Sequence, residues 1–573
     1  MSLSILVFFA LFFSTGFAAS NHYIKIKYQF SAIKDPVVQK NVKDTLENLY
    51  NKLHFPLTDM EASHFVAKGP TEIKNAVTPY GFFQVKTSTK TSKNGNLWTV
   101  YFAIDLGPPL PVTAVHVVIE GDGKNDPKFI KLLKKLPLKV GEPLNTPDYD
   151  KVKTDLYNLA TERGYFSAKM KKNQIQINLQ TYQAKIILVF YTGPRSRFGE
   201  TTFSKTTLKD SFLHRFITYK EGAYYDAKQL EKTQEGLTAS TFFNQILIKP
   251  ETHDIKNGIV PIKIHLMPRK RKQYIYGLGY GTDTGVRGTL GITLRSVNGD
   301  GHRFQTLIRA SSSNSSAVIK YLIPGTDPAR DLWTFAGGAT HINQASGTAH
   351  NVKAAVEYAV NRDHWKHSVE FAYLDENYNM NGFPQTSTQL VYPTFTSKYI
   401  DADHPRNPHK GISLSTQFCA ASKALLSETS FYQISAHFKS IYTITKTKTR
   451  LLFRGDVGHT EIGNIVNLPL SLQLLAGGSQ SVRGYSYNGL GPGKNLVVSS
   501  AEVQERIYGD FYLAVFLDAG VVADNNIFSH INAGTGPGIV WVSPIGSLEL
   551  TFAKAFTQPG DPWAIQFTMG TSL

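Results

Sequence analysis

Leu475-Ala476-Gly477-Gly478-Ser479-Gln480-Ser481-Val482-Arg483-Gly484-Tyr485 is the stretch on which the reading of this chain turns. Two more glycine-rich stretches follow it, Phe516-Leu517-Asp518-Ala519-Gly520 and Gly534-Thr535-Gly536-Pro537-Gly538. The second runs on into Trp541-Val542-Ser543-Pro544-Ile545-Gly546. Singly, each is an ordinary glycine-rich turn beside a strand. Their setting is a region, from about Lys272 to Leu573, in which apolar residues recur at period 2. Tyr276, Leu278 and Tyr280 alternate with Gly277, Gly279 and Gly281. Leu290, Ile292 and Leu294 alternate with Gly291, Thr293 and Arg295, and Val369, Phe371 and Tyr373 with Ser368, Glu370 and Ala372. Leu548, Leu550 and Phe552 alternate with Glu549, Thr551 and Ala553, and Ile565, Phe567 and Met569 finish the pattern. One face is apolar and the other small or polar. An antiparallel barrel with lipid outside and a wet lumen needs this pattern. A soluble sandwich with its apolar face turned inward shows it too. The roughly 300 residues available suit about 16 strands of ~10 residues each.

Composition narrows the choice. The chain has 573 residues, with 42% hydrophobic, 18% charged and 12% aromatic, including 28 Tyr and 35 Phe. Many aromatics and few charges suit strands with interfacial aromatic girdles. Residues 1–19 read as a secretion signal, with an unbroken apolar run from Ile5 to Phe13 and small residues at Gly16-Phe17-Ala18-Ala19. No other stretch reaches the length of a spanning helix, and a membrane protein without such helices is a closed barrel. The single cysteine, Cys419, excludes an internal disulfide. The net charge of +17 suits a nucleic acid or an anionic membrane surface. No nucleic-acid module is recognisable, so phosphate-bearing lipid head groups are the favoured anion, beside the alternative of a generally basic proteome.

Before the barrel, residues 21–268 read as three α+β units of order βααββ, with boundaries at 21–109, 110–194 and 195–268; the barrel takes 269–573. In the second unit Val115, Val117 and Ile119 alternate as a half-buried strand does. Thr146-Pro147 reads as an N-cap followed by proline, Tyr149, Val152, Leu156 and Leu159 share a helical face, and Gly164 ends that helix. Ile175, Ile177 and Leu179 form the next strand, and Ile186 to Tyr191 close the unit. In the first, Asp35-Pro36 opens a helix carrying Val38, Val42, Leu46, Leu49 and Leu53 on one face. In the third, Tyr225 to Ala239 is the corresponding helix.

Several motifs carry no chemistry. Gly277-x-Gly279-x-Gly281 lies within a period-2 strand and opens no helix, so it is not a dinucleotide fingerprint. Gly491-Pro492-Gly493-Lys494 lacks the phosphate-loop spacing. His404 and His409 sit in a Pro-, Asp- and Asn-rich segment that reads as a polar loop rather than a metal site. No catalytic constellation appears, so no enzyme activity, metal or cofactor is expected. The basic run Arg269-Lys270-Arg271-Lys272 stands where the arm meets the barrel, as a lipid head-group contact or a solvated linker. Arg483 is the residue of most weight. A long loop folded into a lumen places its cation in a confined space, where it needs a carboxylate partner. Glu502 and Asp518 lie on the following strands and suit that role. The first barrel strand lacks inner bulk at Gly277, Gly279 and Gly281, which either makes it pack weakly, as a strand without side chains does, or leaves room for a loop in the lumen. It has to meet the last strand, around Ile565 and Phe567, for the cylinder to close.

In their order near the end of the chain, these stretches resemble the outer-membrane assembly-factor superfamily, whose signature is the tetrapeptide Val482-Arg483-Gly484-Tyr485. The three units resemble its POTRA domains. Gly277 to Gly285, Arg454-Gly455-Asp456-Val457-Gly458, Ser500-Ala501-Glu502, Val515 to Gly520 and Gly534 to Leu550 make the chain most similar to the TamA family, the outer-membrane subunits of translocation and assembly modules. The resemblance implies a bacterial outer-membrane barrel of 16 strands with a periplasmic arm and no enzymatic activity. It implies a TamB-like inner-membrane-anchored partner, client outer-membrane proteins such as autotransporters, and contact with outer-membrane lipids. It also implies that Arg483 engages acidic residues of the inner wall. A passive secretion pore and a scaffold for inter-membrane phospholipid transport are the rival readings. The chain departs from the pattern in ending without a terminal aromatic, Phe567 being slightly upstream, and in placing Val540 and Val542 where relatives carry a basic residue. The stretch from Gln305 to Thr445 shows little similarity.

Overall fold

The computed structural model describes residues 23–570, except 32–34, 55–56, 284, 405–406, 526, 528–529 and 544–545. The expected secretion signal lies outside the described residues. The chain divides into two compact units. One reaches to Glu200 and takes in Lys220–Lys228 and Pro250–Pro261; the other holds Thr201–Tyr219, Gln229–Lys249 and the chain from Ile262 on.

Three α+β segments come first. They are β1 (Tyr23–Ser31), α1 (Pro36–Asn51), α2 (Asp59–Val77), β2 (Lys86–Asn94) and β3 (Leu97–Asp105); then β4 (Val112–Glu120), α3 (Pro127–Leu133), α4 (Thr146–Arg163), β5 (Lys169–Asn178) and β6 (Gln183–Tyr191); then β7 (Arg197–Phe203), α5 (Asp210–Leu213), α6 (Ala227–Ala239), β8 (Phe243–Pro250) and β9 (Ile259–Pro268). Each is βααββ, and each sheet places its last strand in the middle: β1-β3-β2, β4-β6-β5 and β7-β9-β8. The central strand is parallel to the first and antiparallel to the second, as in β4-β6 and β5-β6. Local chemistry explains the helices. Asp35 caps α1 by accepting from the Val37 N–H, and Val38, Val42 and Leu46 bury the apolar face. Thr58 and Glu61 form a reciprocal capping box on α2. The cap of α4 is Asn145, one residue before the expected Thr146, because its carboxamide reaches the Asp148 N–H; Gly164, at φ 84°, ends the helix. Leu179 falls beyond β5 and is exposed, since the hairpin has already turned. Helix α6 starts at Ala227, two residues after the expected Tyr225, whose ring is buried.

The barrel follows. Its strands are β10 (Lys272–Gly281), β11 (Gly285–Leu294), β12 (Arg303–Ser311), β13 (Asn314–Pro324), β14 (Asp331–Gln344), β15 (Gly347–Arg362), β16 (Trp365–Met380), β17 (Thr386–Ala402), β18 (Lys410–Ala421), β19 (Phe431–Ile444) and β20 (Thr449–Ile462). A long loop carries the short β21 (Leu474–Ala476) and β22 (Leu490–Gly493), and β23 (Asn495–Tyr508), β24 (Phe511–Ala523), β25 (Asn532–Ser543), β26 (Gly546–Lys554) and β27 (Trp563–Gly570) complete the wall. Leaving out β21 and β22, sixteen strands pair antiparallel in chain order from β10 to β27, the number the sequence length suggested. Large apolar side chains stand on the outside: Leu278 is 93% exposed and Phe371 61%. An apolar face left open along a whole sheet marks a lipid-facing wall. At the end where β10 begins, ring pairs Trp333–Tyr358, Trp365–Tyr399 and Phe511–Trp541 lie at centroid distances of 4.7, 4.9 and 5.7 Å. They have the composition of an interfacial girdle. Val540 and Val542 turn inward and are buried beside Ala514.

The basic run at the barrel's start is spent on backbone carbonyls. Arg269 Nε donates to Phe243 O at 2.8 Å, Arg271 Nε to Ser296 O at 2.7 Å, and Arg295 returns a bond to Lys270 O at 3.0 Å. Two of its four cations therefore fix the strand entry rather than stand free for lipid. In the segment expected to be a polar loop, His409 Nδ1 lies 3.6 Å from Asp403 Oδ2.

Candidate functional site

The loop between β20 and β23 folds into the lumen and is tied to the wall all round. Fully buried Glu376 of β16 accepts the Ser471 N–H at 3.0 Å. Tyr378 donates its hydroxyl to Val466 O at 2.8 Å, and Gln433 of β19 donates to Leu472 O at 2.9 Å. Arg454 of β20 donates to Ser481 O at 2.6 Å. Asp283, just past β10, accepts from the Ser479 N–H at 2.8 Å and its hydroxyl at 2.5 Å. Gln566 of β27 accepts the Gly484 N–H at 3.2 Å, and the Tyr485 hydroxyl meets Thr557 Oγ1 at 2.6 Å.

Arg483 sits at the centre of this plug and is 3% exposed. Its backbone N–H, Nε and Nη2 bond the carboxylate of Asp518 at 3.0, 2.7 and 2.9 Å. Nη1 reaches Glu502 at 2.5 Å and Glu549 at 2.8 Å. Nη2 also meets Ser500 Oγ at 3.3 Å. The guanidinium lies 3.5 Å from the centroid of the Phe516 ring. Register explains the convergence. Ser500 pairs with Asp518 and Glu502 with Phe516 across β23–β24, so all four point to the same side of the wall. Both carboxylates read from the sequence thus meet Arg483; Glu549 of β26 is a third, which the sequence did not single out. The neighbouring glycines are openings for the loop. A Cβ on Gly534 would lie 2.0 Å from Arg483 O, and one on Gly520 would lie 2.6 Å from a Val482 methyl. The three glycine-rich stretches are therefore one assembly: Asp518 grips the loop, and Gly520 and Gly534 leave space for it. Chemically, the cluster is a multidentate charge-assisted clamp.

The seam is different. β10 and β27 are the two ends of the sheet, and no ladder joins them among the described residues. The Phe567 N–H donates to Thr282 Oγ1 at 3.1 Å across the gap. Gly277 and Gly279 of β10 face the lumen, and space does not demand them. A Cβ on Gly277 would meet nothing nearer than Thr289 at 3.4 Å, and one on Gly279 only the flexible Arg287 side chain at 3.1 Å. Ile565 is exposed on the outside of β27.

A sixteen-stranded barrel with a lipid-facing outer wall, plugged by its own arginine-clamped loop and following α+β modules of βααββ order, defines an integral outer-membrane barrel protein with a periplasmic arm. Residues 171–573 match the Omp85 superfamily domain, and the chain belongs to that superfamily. It is similar to the chloroplastic outer envelope protein 80 of Oryza sativa subsp. japonica, with 22% identity over 378 residues, 60% of this chain and 55% of that protein. It is similar to the outer membrane protein assembly factor BamA of Neisseria meningitidis serogroup B, with 21% identity over 539 residues, 80% of this chain and 66% of that protein. The chain thus spans between about half and two thirds of the length of these curated relatives. The crystal structure of BamA from Haemophilus ducreyi lacking POTRA domains 1–3 shares the fold at a TM-score of 0.68 and 18% identity, over 80% of this chain and 99% of that one.

Proposed function

We propose that this protein is an outer-membrane assembly and translocation factor of the TamA kind. It inserts or secretes outer-membrane proteins such as autotransporters by exchanging strands at its seam. The observation that carries the reading is the missing ladder between β10 and β27. Among the described residues one hydrogen bond, worth about 1 kcal/mol net, stands where every other neighbouring pair of strands in the wall is joined by a ladder. The exposed edge of β10 offers backbone donors and acceptors to an incoming strand, which is how β-augmentation works. The arm, read as three POTRA domains at 21–109, 110–194 and 195–268, supplies further sheet edges for clients and for a TamB-like inner-membrane-anchored partner. The arginine-clamped loop supports this reading over that of a passive pore, because it occupies the lumen through which a pore's substrate has to pass.

The test is a lock. With Cys419 replaced by Ser, cysteines at Thr282 and Phe567 join the two strands on oxidation, and client insertion is scored in proteoliposomes. Insertion lost on oxidation and regained with reductant is the expected result. Full insertion through a seam verified as crosslinked would sink strand exchange.

A further inference from the structure

We infer that the lumen pocket just inside the seam is a binding site for a phosphate group, held by Arg287, Lys439 and Arg454. The pocket encloses 520 Å³ and is lined by those three residues, by the loop, and by Gly281 and Phe567–Met569 of the two seam strands. The acids around it are taken. Asp283 is held by Ser479, and Glu502, Glu549 and Asp518 are held by Arg483. Asp456, the next acid along β20, is bonded to His437 at 2.9 Å.

Arg287, Lys439, Arg454 and Arg483 stand against these five acids, one more acid than base, so what is unfilled is hydrogen-bond capacity rather than charge. Among the described residues, the side chains of Arg287 and Lys439 make neither a hydrogen bond nor an ion pair. The buried Nε of Arg454 has no partner. A guanidinium carries five N–H donors and an ammonium three; those of Lys439 and Arg454 are half-buried, Arg287 is exposed to the lumen beside them, and half-buried donors of that number call for an acceptor-rich occupant. Register adds a second reason. Lys439 and Arg454 stand directly opposite each other on β19 and β20. Like charges directly opposite destabilise a sheet. Water fills donors without relieving that repulsion, whereas an oxyanion does both. A phosphate, with several acceptor oxygens and up to two negative charges, suits a site built from two guanidinium groups and one ammonium. It can arrive as a free anion through the lumen or as a lipid head group through the seam.

The experiment titrates the full-length protein in dodecylmaltoside with sodium pyrophosphate and, separately, with dihexanoyl phosphatidylglycerol. Heat-modifiable electrophoretic mobility verifies folding. Salt-sensitive binding is expected, weakened about tenfold or more in K439Q and in R287Q and retained in K439R. Tighter binding of the lipid supports the site with a head group as its ligand. Equal or tighter binding of pyrophosphate supports it with a free anion as its ligand. Binding of neither probe, or affinity unchanged in K439Q/R287Q, overturns the proposal. Arg287 faces the lumen from an exposed position and is not part of the arginine clamp, so R287Q carries the test where K439Q fails to fold.

Discussion

Replacing Arg483 by alanine should release the plug, and the cost follows from what it leaves behind. Asp518 is fully buried and Glu502 is 7% exposed. Without the guanidinium both stay buried, and Glu549 joins them on the adjoining wall. Removing one partner of a buried pair costs about 3–5 kcal/mol. The stacked Phe516 face adds about 2 kcal/mol in a desolvated site, and the two terms overlap because they share one side chain. A total near 5 kcal/mol is a large fraction of the stability of an ordinary domain. R483K keeps the charge and loses the fork that grips Asp518, so it should cost less, about 1.5–3 kcal/mol, the worth of hydrogen bonds to a charged group. Denaturant titration of the folded protein in detergent gives the order wild type, R483K, R483A. Limited proteolysis reads the loop itself: cleavage within residues 477–488 should be absent in wild type and rapid in R483A. An R483A protein within about 1 kcal/mol of wild type with a protected loop would refute the reasoning, because the clamp would then hold nothing. D518N separates charge from shape. It leaves Arg483 facing two carboxylates and should fall between R483K and R483A.

Three further outcomes follow from the geometry. G534A places a methyl carbon 2.0 Å from Arg483 O, so it should expose the loop to protease as R483A does while leaving every charge in place. G277A meets only van der Waals contact at 3.4 Å; it should leave barrel stability unchanged or slightly raised, and client insertion measures whether a stiffer β10 slows exchange. In the arm, Asp126 is pushed up by burial, but the Lys128 N–H, Arg163 and the Tyr165 hydroxyl outweigh this and hold its carboxyl below its ordinary value of 3.8, while burial and Asp126 push Tyr165 up to about 12. A depressed folded-state pKa gives stability that is present above the unfolded value and lost as pH falls through the folded one. Hydrogen exchange of α4 should therefore accelerate below about pH 4 in wild type, and D126N should be faster already at pH 7 with a flatter acid limb.

What the sequence revealed and what it hid have a common physical cause. Period 2 is legible where the two faces of a strand meet different solvents, as at Tyr276, Leu278 and Tyr280, where outward apolar side chains alternate with glycines. Between Gln305 and Thr445 the alternation persists, as at Val369, Phe371 and Tyr373, but part of the inner face there is not wet. Ala372, Leu374, Leu390, Tyr392 and Cys419 pack with Ile465 and Leu468 of the plug. A lumen filled by its own loop asks for apolar residues on the inner face too, which narrows the contrast between the two faces at Leu374 and Leu390. The same plug decides which clamp residues could be found. Asp518 stands inside an apolar run and so draws notice, and Glu502 stands as the one acid in a stretch of valines, serines and alanine from Val497 to Val503. Glu549 is one polar inner position in a strand that already alternates, and Asp283 reads as an ordinary turn residue. Only the register of β23, β24 and β26 around a loop more than sixty residues from Glu549 brings that carboxylate to 2.8 Å from Arg483. The clamp is therefore a property of closure. Its acids lie on strands near the C-terminal edge, and Asp283 lies past the N-terminal one. A change at the seam that moved β10 away from β27 would pull Asp283 from Ser479 while leaving Arg483 on Asp518. Protease access at Ser479 without access at Arg483 is the signature to look for in a seam-opened state. Simultaneous exposure of both would mean that the plug and the seam move as one body.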